Sequence, residues 1–144
     1  MKTRRELSVL IAVLVVSVAA CASVKPGEDP VLVQAQRTYS NTRDALNTLF
    51  TLEMDNKDLI ESKLPGTHAI VDGIKTQAKI ALPELLKAID TYAANRDRAA
   101  LDKWEAVALQ ILESAKVIIA NLGKQGIVAS GPALEDVQSL LGGA

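Results

Sequence analysis

Of its 144 residues the chain has one cysteine, Cys21, and one histidine, His68. Those two scarcities exclude much. No disulfide can form within the chain and no pair of cysteines exists for zinc or for haem attachment, so a metal site would need His68 plus carboxylates at no signature spacing. Aromatic residues are as scarce, with Tyr39, Phe50, Tyr92 and Trp104 the full set. A core must therefore be built from Leu, Ile, Val and Ala, which suits close-packed helices better than a ligand pocket lined with rings. Excess charge is missing too, with 16 Lys and Arg against 17 Asp and Glu. Nucleic acid and anionic lipid head groups are poor partners for such a balance. Nor does any long stretch after residue 20 alternate with period two, and β structure is disfavoured throughout.

What the chain does have is a sharply zoned start. Lys2, Arg4 and Arg5 precede an apolar run of 14 residues from Leu7 to Ala20, which ends in small residues. That order is the pattern of a secretory signal. The run is too short for a permanent span, because crossing a hydrocarbon core takes about 20 residues. It closes on Val18-Ala19-Ala20-Cys21, which resembles the lipobox of bacterial lipoproteins, an aliphatic residue and two small ones before an obligatory cysteine. The resemblance covers only the first 21 residues. It implies that a diacylglyceryl group joins the Cys21 thiol, that signal peptidase II cuts before Cys21, and that the new amino terminus is acylated. Two or more acyl chains hold a protein firmly, since each buried methylene contributes roughly 0.8 kcal/mol. In that family an Asp after the lipidated cysteine often retains the protein at the inner membrane, and Ala22 stands there instead. The resemblance therefore implies an outer-membrane anchor facing the periplasm.

The expected organisation is a cleaved signal over 1–20, a lipidated cysteine and tether over 21–30, and one helical domain over 31–144. Loss of Lys2, Arg4, Arg5 and Glu6 leaves 13 basic and 16 acidic residues, a net charge of −3. Asp29-Pro30 reads as an N-cap followed by proline at the first helical position. Leu32, Ala35, Tyr39, Thr42, Ala45, Leu46, Leu49, Leu52, Leu59 and Ile60 then fall on one stripe, predicting a first helix from Val31 to Lys63. The stripe thins between Glu53 and Asp58. Leu64-Pro65-Gly66 stops the helix. Thr67 can cap a second helix with a stripe of Ile70, Ile74, Ala78, Ala81, Leu85, Ile89 and Tyr92. The stripe keeps phase across Pro83, so one kinked helix is expected. Asn95 or Asp97 opens a third, with Leu101, Trp104, Ala108, Ile111, Leu112, Ala115, Ile119 and Leu122 on its face and Gly123 as its C-cap. A short fourth helix is expected over Pro132–Leu141, where Leu134, Val137, Leu140 and Leu141 share a face and dock loosely over an open groove.

Few residues suggest chemistry. His68 reads as a solvated residue at a helix start, and Met54 with His68 would flank one turn rather than face each other as haem ligands. Glu53, Asp55, Asp58 and Glu61 read as a solvated face, since glycosidase chemistry needs two carboxylates across a cleft. Thr67 cannot serve as a nucleophile activated by its neighbour His68 as base, because adjacent helical residues do not face one another. Asn56 and Gln77 border the stripes and are expected to point at water or to fix register. Trp104 and Tyr92 are expected near the turn between the second and third helices.

The whole reads as an all-α chain, an up-down-up three-helix bundle with a short C-terminal helix. No catalytic, cofactor-binding or metal-ligating residue is expected, and Cys21 is the one modification site. The expected partners are a membrane, through the lipid anchor, and a protein of unknown identity, with no nucleic acid. Two alternatives stay open: a pilotin-like escort of an outer-membrane protein, and a small bundle holding a cofactor or metal.

Overall fold

A computed structural model describes residues 27–128. Cys21, the leading apolar run and the Pro132–Leu141 stretch lie outside the described residues. Among the described residues there are four helices and no strand: α1 over Pro30–Asp55, α2 over Lys57–Lys63, α3 over Thr67–Asn95 and α4 over Ala99–Lys124. The chain is all-α. It divides into two compact units, residues 1–33 and 34–144, with the boundary inside α1.

In the first unit the expected cap forms. Asp29 Oδ1 accepts from the Val31 and Leu32 amides at 2.9 and 3.4 Å, satisfying two donors that a helix start leaves without intrahelical partners. Pro30 is the first helical residue, where its missing N–H removes nothing.

In the second unit the periodic stripes become a single helical-bundle core. Ala45, Leu46, Leu49 and Leu52 from α1 meet Ile60 from α2, Val71, Ile74, Ala78 and Ala81 from α3, and Ile111, Leu112, Ala115 and Leu122 from α4. α3 and α4 pair along their length through the three-residue link Arg96–Arg98. α1 is pinned to α4 by two buried threonines. Thr38 Oγ1 donates to Glu105 Oε1 at 3.0 Å, while the Thr42 hydroxyl lies 2.7 Å from Thr38 O and 3.3 Å from Ala108 O.

Three expectations need correction. The first helix is not continuous: it breaks at Asn56, where Leu52 O accepts from both the Asn56 amide at 3.1 Å and its Nδ2 at 3.0 Å. Thr67 is helical rather than a cap, and Gly66 precedes it with φ 86, a conformation that favours glycine. Ile70 is 59% exposed while Val71 is buried, so the α3 stripe begins one residue later than expected.

The close of α4 also differs from the expected Gly123 cap. Helix continues to Lys124, and the left-handed residue is Gly126 at φ 73. Ile127 N donates to Leu122 O and Gly126 N to Gly123 O, both at 3.0 Å, the two-bond closure of a Schellman turn. That turn folds Ile127 back into the core, where it is 1% exposed. Among the described residues α4 is the helix long and apolar enough to cross a membrane. Its apolar stripe is buried against α3 and α1, as in the core helix of a bundle.

Candidate functional site

Two places gather polar chemistry. The first is the corner where α1, α2 and α3 meet. The break at Asn56 turns the chain so that the end of α1 and the first turn of α2 both lie against the start of α3. His68, on the first turn of α3, reaches into that corner. Its Nδ1 lies 2.7 Å from Glu53 Oε1 and its Nε2 lies 3.2 Å from Lys57 O. Glu61 adds a carboxylate 3.9 Å from Nε2. A carboxylate and a carbonyl both accept, so the corner favours the protonated ring, whose two nitrogens can both donate. The hydrogen bond to Glu53 raises the His68 pKa above its ordinary value, the Lys57 carbonyl and the two carboxylates add to the rise, and desolvation opposes them. His68 thus joins three helices through polar contacts, rather than standing as a solvated helix-start residue.

That corner also separates the acidic run. Glu53 is drawn inward, its side chain 14% exposed against His68, while Asp55, Asp58 and Glu61 remain exposed. Met54, the other half of the imagined haem pair, is 76% exposed. Among the described residues no group of three or more His, Cys, Asp and Glu side chains could hold a metal ion. Gln77 is exposed, and Asn56 is half-buried on Leu52 O. Tyr92 is buried and Trp104 packs against the core near the α3–α4 link, under the Lys103 ammonium at 4.6 Å from its ring.

The second place is a groove of about 700 Å³ between α1 and α3. Leu46 and Phe50 of α1 and Ala78, Leu82 and Pro83 of α3 make it apolar, and Arg43, Lys75 and Lys79 stand on its rim. No carboxylate lines it. Arg43 lies 3.2 Å from Asp44, and Lys75 sits 3.9 Å from Asp72 and 5.1 Å from the centre of the Phe50 ring. The near-neutral composition hid this gathering of cations. Lys75 and Lys79 are four apart and so share a helix face, which was visible in sequence. That Arg43 faces them from another helix was not.

No protein-family model, curated protein or solved structure matches the chain.

Proposed function

We propose that this chain is a bacterial lipoprotein whose helical domain acts by contact with a protein at the cell envelope, not by catalysis. The observation that carries the reading is Val18-Ala19-Ala20-Cys21 at the end of a short apolar run behind Lys2, Arg4 and Arg5. Signal peptidase II would cut before Cys21, lipid on that thiol would hold the chain, and Ala22 favours the outer membrane with the domain in the periplasm. The domain is read as an up-down-up bundle of α1, α3 and α4. Supporting that finer arrangement are the three-residue link between α3 and α4 and the one core to which α1, α3 and α4 all contribute.

The reading is tested with labelled palmitate in a bacterial host. Label should enter the wild-type chain and be missing from Cys21→Ser, and membrane fractionation should find the label in the outer membrane. Label in the Cys21→Ser protein would refute the anchor. Cross-linking in intact cells followed by mass spectrometry then asks which envelope protein the domain touches.

A further inference from the structure

We infer that the groove between α1 and α3 receives an acidic amphipathic helix of the partner protein, one whose apolar stripe carries carboxylates along both flanks. This rests on the domain acting by protein contact, and gives that contact a place and a chemistry. The grounds are the shape of the groove, the placing of its cations and the weakness of their present pairs.

The groove is an apolar furrow between two helices. Leu46 of α1 and Ala78 of α3 are buried at its base, Phe50 and Leu82 are half-buried along its walls, and Pro83 is exposed. α1 does not pack against α3 as closely as α4 does, and the furrow stays open between them. Lys75 to Pro83 spans about 12 Å of α3, and Arg43 to Phe50 about 10 Å of α1. A helix that docks in a groove presents anchors at i, i+3 or i+4, and i+7, a span of about 10 Å. The two lengths match.

The cations decide between occupants. Arg43 stands on the α1 wall and Lys75 and Lys79 on the α3 wall, and among the described residues no carboxylate lines the furrow. Lys75 lies over the Phe50 ring, so Arg43, two turns before Phe50, falls toward the other end, with Leu82 and Pro83. Positive charge therefore runs along both walls instead of collecting at one end. A single-chain lipid brings one anionic head and would use cations gathered in one place. A helix with acids on both sides of an apolar stripe meets all three.

Their present pairs leave these cations available. Arg43 and Asp44 are 3.2 Å apart with both side chains more than half exposed, and Lys75 Nζ is 3.9 Å from an Asp72 carboxylate that is 71% exposed. Exposed pairs of this kind contribute little, so exchanging them for a partner's carboxylates costs little. Lys79 makes no ion pair among the described residues.

The test is photo-cross-linking of the full-length chain in the cells that make it. A benzophenone residue replaces Asn47, exposed on the groove, and in a second protein Val117, exposed on α4, which does not line the groove. Cross-linked peptides are sequenced by mass spectrometry. From position 47 the product should join the chain to one envelope protein, through a segment with apolar residues at helical spacing and carboxylates on both sides of them. Arg43→Glu with Lys79→Glu should cut its yield about tenfold, whereas Lys103→Glu with Lys116→Glu on α4 should leave it within about twofold. Should the groove reversal lower the melting temperature, Arg43→Gln with Lys79→Gln, which adds no like charge, should still cut the yield about threefold. Products with lipid, with a second copy, with another part of this chain or with a segment lacking acids overturn the proposal, as does a yield indifferent to the groove charges. A protein captured from position 117 and not from 47 overturns the groove but leaves protein contact as the domain's function. Capture of no envelope protein from either position overturns both.

Discussion

At the scale of single residues, His68 makes the sharpest prediction because both its ring nitrogens face acceptors, Glu53 Oε1 and Lys57 O. Its pKa in the folded chain is raised, chiefly by Glu53, above the unfolded value of about 6.5. A raised pKa means that the folded state holds the proton more tightly, so the His68 contacts contribute fully below the unfolded pKa. The contribution then falls as pH rises through the folded value. The melting temperature should therefore drop between about pH 6.5 and alkaline pH in the wild type, with that part of the slope missing from His68→Gln. A ring-proton NMR titration of His68 gives the folded pKa directly. An ordinary value, or equal slopes in the two proteins, would break the argument. Sequence alone placed His68 at a helix start but not at a three-helix corner. Glu53 lies 15 residues away and Lys57 11 away, and only the break at Asn56 and the turn at Pro65-Gly66 bring them together.

Among the helices, Pro83 is the clearest anomaly, since α3 runs unbroken from Thr67 to Asn95 with a proline inside it. Proline there removes one backbone hydrogen bond and crowds the carbonyl of Lys79, at up to about 3 kcal/mol relative to alanine. Its ring is exposed on the groove side and fills no core position. Pro83→Ala should therefore raise the stability of the domain in urea unfolding, and a clear loss would show that the proline is needed to shape the helix. The elements also show what the sequence could and could not reveal. The α4 face was legible almost completely, because Leu101, Ala108, Ile111, Leu112, Ala115, Ile119 and Leu122 are buried at unbroken helical spacing. The split between α1 and α2 was harder to read. A thinning stripe between Glu53 and Asp58 was visible, but a polar stretch that bends and one that merely faces water have the same apolar pattern, and the Asn56 side-chain bond to Leu52 O beside the backbone one is visible only in the structure. Helix ends were off by one to three residues for a similar reason. Several glycines and capping residues stood near each end, and core contacts such as that of Ile127 chose among them.

For the molecule as a whole the question is what completes the core. The third periodic helix was expected to close at Gly123, yet the Schellman turn beyond it returns Ile127 to the interior beside Leu122. Burying that side chain is worth about 1.5 to 3 kcal/mol. Cutting the chain at Gly123 also removes the two amides, of Gly126 and Ile127, that satisfy carbonyls at the end of α4. A fragment of residues 27–128 should therefore melt well above one of residues 27–123. Domains of this size shift by roughly 4 to 8 °C for each kcal/mol, so the gap should exceed about 6 °C. No metal enters this account, since the apolar stripes from all four helices supply the core. A chelator should accordingly leave the helical circular dichroism and the melting temperature of both fragments unchanged. Equal melting temperatures would show that Ile127 is an accessory to the fold rather than its last core residue. Loss of helix on chelation would show that a bound ion, not the packing of these side chains, holds the helices together.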